Sequence, residues 1–221
     1  MSSSRQIRVY RDLMGENERW AADTRALARD KQVCVLNLIG SPGSGKTTLL
    51  ENSMNRLPDL QFAVLEGDVE TTHDAERLDA LGVPVCQLLS GGACHLEAKL
   101  VNRALRDLPL DRLDLVVVEN VGNLVCPAEF DIGEDAKIAV LSIAEGEDKP
   151  AKYPMLFRES KAVVLTKLDL LPHLGFDLEQ CRAYVDGVNG ALPVFEVSAR
   201  EGQGMNEWAD WVSKFVTGKP E

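Results

Sequence analysis

Eight residues, Gly40-Ser41-Pro42-Gly43-Ser44-Gly45-Lys46-Thr47, stand between an apolar run at 33–39 and a helix-like segment at 46–57. They fit GxxxxGK[ST] in the strand-to-helix context that gives the pattern its meaning. Glycines let the backbone curl, so that successive N–H groups and the N-terminus of the following helix face anionic oxygens. Lys46 then reaches the outer phosphates of a nucleotide, the Thr47 hydroxyl becomes a ligand for Mg²⁺, and Thr48 continues the first helical turn. Such a loop must lie at the carboxyl end of a buried strand, which commits the chain to an α/β sheet.

The rest of the sequence repeats the strand, loop, helix rhythm. Further apolar runs at 61–65, 83–89, 115–118, 138–143, 162–165 and 194–197 bring the expected total to about seven strands. Helical periodicity spans 15–31, 72–81, 95–108 and 205–216, the last with Trp208, Trp211 and Phe215 at core spacing. This predicts a phosphate-loop (P-loop) NTPase of mostly parallel strands with helices on both faces. A helical extension over residues 1–32 precedes one domain over 33–217.

In such a sheet the ligand sits at the carboxyl ends of the strands. Glu119 ends the run at 115–118 and is placed to hold Mg²⁺; the Glu119-x-x-Gly122 spacing resembles the switch of GTPases, whose glycine N–H senses the γ-phosphate. Asp68 follows another strand and is a second candidate for the Mg²⁺ shell. Thr166-Lys167-Leu168-Asp169 resembles the guanine-reading [NT]KxD motif. Asp169 would accept from both guanine ring N–H and exocyclic amine, donors that adenine lacks in that arrangement. Ser198-Ala199-Arg200 follows the last strand, where GTPases place a loop that reads the guanine oxygen. Two base motifs in order point to GTP and GDP. Lys46, Asp68 and Glu119 are the candidate catalytic groups.

Lys and Arg total 24 against 35 Asp and Glu, a net charge of −11 that repels phosphate backbones and argues against a nucleic-acid partner. The first residues lack the apolar core of a secretory signal, and no apolar run approaches the ~20 residues of a membrane span. A cytoplasmic chain is expected. Five cysteines without a CxxC pair or export signal do not form a disulfide framework. Cys34, Cys86 and Cys181 read as small core residues. Cys94 and Cys126 stand beside Gly, His or Pro in loop-like contexts, and the residues alone leave open whether they are ligands or unrelated thiols.

The segments GGACHL, VENVGNLVCPAEFDIGE, KPAKYP, TKLDLLPHL and SAREGQGM, taken with the phosphate loop, resemble HypB, the GTPase family that accompanies nickel insertion into NiFe hydrogenases. The likeness runs from about Val33 to Val216. It implies a metal site of Cys94, His95 and Cys126 for Ni²⁺ or Zn²⁺, at a homodimer interface favoured by nucleotide and metal, with hydrogenase maturation proteins as partners. Thiolate and imidazole donors suit both metals. Two departures stand out: no Cys or His precedes Cys34, so N-terminal nickel capture and storage are not expected, and Thr166 replaces the commoner Asn. The rival readings are a urease-side nickel GTPase, whose Cys-Pro-His motif is not found here, and a P-loop small-molecule kinase.

Overall fold

The computed structural model describes residues 3–68, 78, 82–89 and 92–218. Seven strands, β1 (Cys34–Ile39), β2 (Phe62–Asp68), β3 (Val85–Leu89), β4 (Leu115–Glu119), β5 (Ala136–Ser142), β6 (Ser160–Thr166) and β7 (Val194–Glu196), form one sheet ordered β3-β2-β4-β1-β5-β6-β7. All six pairings are parallel. The expected seven-stranded sheet is present, and the strand order reverses at β1, which opens a crevice beyond its carboxyl end.

Alternation along each strand distributes apolar side chains to both faces. Leu36, Leu38, Val64, Leu115, Val117, Ile138 and Val164 share one face with α2 (Lys46–Met54) and Met205, Trp208 and Val212 of a C-terminal helix, Met205–Thr217. Trp208 Nε1 donates to Ser53 Oγ at 2.9 Å, satisfying the indole inside that layer. The opposite face carries two clusters. One joins Val35, Leu65 and Val118 to α1 (Ser3–Asp30) and α3 (Ala98–Asp107). The other joins Ile39, Leu141 and Leu165 to Phe157, Cys181 and Val185.

Several boundaries differ from the sequence expectation. Helix α1 starts at Ser3, not near residue 15; a lone Gly15 inside a helix costs only about 1 kcal/mol. The helix expected from 95 starts at Ala98, because Asn17 Oδ1 takes the Ala98 N–H at 3.0 Å and leaves His95 and Leu96 in the preceding loop. Short helices, α4 (Cys126–Glu129), α5 (Lys149–Lys152) and α6 (Pro154–Glu159), carry Pro in their first turns and are too brief to show periodicity. The amphipathic stretch around Cys181 is α7 (Leu178–Asn189), and the C-terminal helix is α8. The helix expected over 72–81 lies outside the described residues apart from Leu78. Cys34 and Cys181 are buried as expected, whereas Cys86, in the edge strand β3, is only half-buried. Among the described residues no helix is long and apolar enough to cross a membrane.

Helix α1 is fastened through its part from Asn17 to Arg25. Asn17 Nδ2 donates to Asp131 O at 2.8 Å, Asn102 Nδ2 donates to Thr24 Oγ1 at 3.1 Å, and Arg25 pairs with the Asp131 carboxylate. Gly133 lies in this contact with φ +87°, and a Cβ there would meet Thr24 Cβ at 2.4 Å and Ala21 O at 2.6 Å. Gly133→Ala therefore combines a left-handed backbone with a clash against a helix, and urea unfolding is expected to show a loss of roughly 2 kcal/mol or more.

Candidate nucleotide and metal site

The phosphate loop follows β1 and runs into α2. Its Ser44 Oγ is buried and has no hydrogen-bond partner among the described residues, a cost that a ligand oxygen or water would remove. Lys46, also buried, turns back so that Nζ donates to Gly40 O at 3.4 Å and Ser41 O at 3.3 Å. Both are long bonds for an ammonium group, and phosphate oxygens would be stronger acceptors. Thr47 Oγ1 donates to Glu119 Oε1 at 2.9 Å. That contact is possible because Leu38 of β1 pairs in register with Glu119 of β4. A hydroxyl and a carboxylate side by side at the loop are hard oxygen donors of the kind Mg²⁺ selects. Thr48 is half-buried in the same turn. Asp68 closes β2, and its side chain lies outside the described part of the chain.

The two base motifs converge from β6 and β7. Leu168 N donates to Val197 O at 3.1 Å and Val197 N to Leu165 O at 2.8 Å. Ser198 Oγ donates to Asp169 Oδ1 at 2.7 Å, orienting the carboxylate, and Ala199 follows it in a buried position. Thr166 and Lys167 face the phosphate loop as well. Thr166 Oγ1 donates to Ser44 O at 2.5 Å, and Lys167 Nζ donates to Gly43 O at 2.6 Å, with Lys167 itself at φ +62°. Thr166 thus does more than supply fewer contacts than Asn would; its hydroxyl braces the loop.

Beyond Glu119 the chain passes Gly122 and reaches Cys126, the first residue of α4. The structure brings Cys94, His95 and Cys126 together: one ligand atom from each lies within 4.8 Å of the others. Cys94 is exposed, while the other two are half-buried. Cys94 Sγ is 3.5 Å from His95 Nδ1, and the imidazole stacks on Phe130 with centroids 3.8 Å apart. Burial pushes the His95 pKa down, favouring the neutral ring that binds metal. The Cys126 thiol is pushed up, first by its hydrogen bond with Cys94 and then by desolvation. Asn123 Nδ2 donates to Cys94 O at 3.3 Å, tying the two ligand-bearing loops. His173 is exposed, and His73 and Gly91 lie outside the described residues.

Sequence reasoning missed four buried polar residues near this site: Asn37, Glu66, Asn120 and Glu134. Glu66 pairs in register with Glu119, so two buried carboxylates neighbour one another on adjacent strands. Asn37 was detectable, since a lone amide inside an otherwise apolar central strand is an anomaly. Asn120 and Glu134 carry no such local signal.

Fold and loop together define a P-loop nucleotide-binding protein. Residues 34–196 match the family described as CobW/HypB/UreG, nucleotide-binding domain. The hydrogenase maturation factor HypB of Azotobacter chroococcum mcd 1 is 50% identical over 217 residues, covering 97% of this chain and 70% of that protein. The crystal structure of HypB from Helicobacter pylori in complex with nickel superposes with a TM-score of 0.88 at 35% identity, covering 92% of this chain and 96% of that one. HypB from Archaeoglobus fulgidus gives a TM-score of 0.86 at 32% identity, over 92% of this chain and 100% of that one. The chain belongs to the HypB family of hydrogenase maturation factors.

Gly122 lies directly against the phosphate loop. A Cβ there would meet Pro42 Cγ at 2.6 Å, Pro42 N at 2.8 Å and Pro42 Cα at 2.9 Å. Gly122→Ala is expected to push the segment off the loop and to weaken binding of a fluorescent GTP analogue at least about fivefold, given overpacking costs of roughly 1–3 kcal/mol.

Proposed function

We propose that this chain is a GTP-hydrolysing metallochaperone that assists nickel delivery during NiFe hydrogenase maturation. The observation that carries the reading is a single short segment: it begins with Glu119 beside the phosphate loop, packs Gly122 on Pro42, and ends in Cys126 of the thiol–imidazole cluster. Nickel bound to the Helicobacter pylori relative supports Ni²⁺ as the cargo, and Zn²⁺ suits the same donors. The reduced thiols that metal capture needs fit a cytoplasmic setting.

Hydrolysis in this family of folds is positioning plus electrostatics. Lys46 neutralises the β- and γ-phosphates once it leaves the Gly40 and Ser41 carbonyls. Loop N–H groups and the α2 N-terminus hold the phosphate oxygens. Thr47 and Glu119 would hold Mg²⁺, which would supply positive charge to offset that of the phosphates, with Asp68 a further candidate. Asp169, oriented by Ser198, accepts from guanine, and the Lys167 stem covers the base. Gly122 N–H contacts the γ-phosphate, so that loss of that group on hydrolysis releases the segment. Three ligands from one chain, one of them exposed, leave a coordination position open. A second copy related by a two-fold axis would bring two more thiols, which favours a homodimer in the presence of nucleotide and metal. Other hydrogenase maturation proteins would be its partners.

Two outcomes test this reading. Asp169→Asn is expected to lower GTP affinity by up to roughly 10⁴-fold and to favour xanthosine triphosphate, measured by competitive nucleotide binding. A wild type that binds ATP as well as GTP would remove the base assignment. Metal and nucleotide affinities should also depend on one another by a coupling of about 1–3 kcal/mol. Calorimetric titration of nickel into protein holding GDP or a GTP analogue is expected to give unequal affinities. In Cys126→Ala both affinities fall and become equal while GTP binding persists. Equal nickel affinities in the two wild-type states would overturn the coupling.

A further inference from the structure

The two apolar clusters on the α1 and α7 face of the sheet do not merge. Val35 and Val118 belong to one, Ile39 and Leu141 to the other. Between them, at the middle of β1, lies Asn37, fully buried, and beside it Asn120 and Glu134. Buried amides and carboxylates are stable only as a completed network, and here the members complete one another. Asn120 Nδ2 donates to Asn37 Oδ1 at 3.1 Å, and Asn37 Nδ2 donates to Glu134 Oε1 at 3.3 Å. Glu134 Oε2 accepts the Ile132 N–H at 2.8 Å, and Lys137 Nζ stands 3.7 Å from Oε1.

The free end of this chain of bonds points to the metal cluster. Asn120 Oδ1 accepts two backbone N–H groups at once, from Leu96 at 3.3 Å and from Val121 at 3.0 Å. Leu96 directly follows His95, and Val121 begins the segment leading to Gly122 and Cys126. Asn120 is itself immobilised: its N–H donates to Leu38 O at 3.0 Å, and its side chain is bonded into the sheet. Leu96 is also wedged over Gly67, where a Cβ would meet Leu96 Cδ1 at 2.8 Å. The loop carrying two ligands is therefore held to the central sheet, whereas the third ligand sits beyond Val121 on the segment packed against the phosphate loop.

We propose that Asn120 is a positioning residue of the metal site, fastening the Cys94–His95 loop to the sheet as the stationary half against which Cys126 moves when the nucleotide changes. The inference rests on the reading that these three residues take metal under nucleotide control. A nucleotide that displaces one metal ligand relative to the others changes the metal affinity directly. If the Cys94–His95 loop floated, it would follow Cys126, and the nucleotide state would no longer be felt by the metal.

The test uses the full chain, with Ni²⁺ in competition with a chromophoric chelator, in GDP and in a non-hydrolysable GTP analogue. Hydrogen exchange at the Leu96 amide is followed alongside. Asn120→Ala is expected to remove protection at Leu96 and to bring the ratio of the two nickel affinities, roughly 5- to 150-fold for coupling of ordinary size, to within about threefold of one. Asn37→Asp sets two carboxylates against each other and should do the same more weakly. In the double variant Asn37→Asp with Glu134→Gln every donor meets an acceptor again, so both the protection and the ratio return. Failure of the double variant to restore them would show a merely structural loss and overturn the proposal. A ratio that survives Asn120→Ala, with the wild type coupled, overturns the anchor alone. A wild type with equal affinities overturns the nucleotide control itself, and the anchor with it.

Discussion

Parallel pairing of β1 with β4 on one side and β5 on the other is the constraint from which the rest of the molecule follows. The registers Leu38 with Glu119 and Leu38 with Ile138 bring the ends of β1 and β4 to one level, while β5 runs on beyond them to Ser142. A parallel ladder fixes the strands only if both faces are covered, which the alternating Leu115, Val116, Val117 and Val118 accomplish by feeding opposite apolar layers. With the register set, the β1 end supplies the phosphate loop and the β4 end supplies the carboxylate that meets Thr47. A slip of one residue in β4 would turn Glu119 to the other face and the whole apolar set with it.

The site separates two kinds of donor within one short segment. Hydroxyl and carboxylate oxygens cluster at the phosphates, where a hard cation belongs. Sulfur and imidazole nitrogen cluster around Cys126, where a softer transition metal belongs. The chain between them includes Gly122, which has no room for a side chain against Pro42, so the segment can lie flat on the phosphate loop. Under the proposed function, phosphate chemistry and metal capture would share this segment without competing for one ion.

The sheet, the phosphate loop and the two segments that resemble base motifs could be picked out of the sequence because each is local: a run of alternating or apolar residues, or a motif of eight residues or fewer. Helix limits were less readable. The start of α3 depends on Asn17, which lies 81 positions away in sequence from the Ala98 it caps, and no window reading reaches that far. The Cys94–His95–Cys126 cluster could be named only through resemblance, because two loop segments 31 residues apart meet through sheet register, not spacing. Thr166 shows in the sequence only as a departure from the commoner Asn, yet its hydroxyl bonds to the Ser44 carbonyl. Asn120 and Glu134 are not legible because a polar residue beside a strand end looks solvated until its neighbours are known.

The bonds from Thr166 and Lys167 to the Ser44 and Gly43 carbonyls have a thermodynamic meaning of their own. They grip the phosphate loop through its carbonyl oxygens, acceptors that cannot bond an anionic phosphate. The cradle is thereby shaped during folding, and its conformational entropy is lost before any ligand arrives; binding energy need not be diverted to ordering it. A template so rigid treats the α- and β-phosphates alike whether or not a third follows. On the proposed function, discrimination between a triphosphate and a diphosphate would then fall to the stretch after Glu119 that packs through Gly122 on Pro42, the same stretch that ends at Cys126.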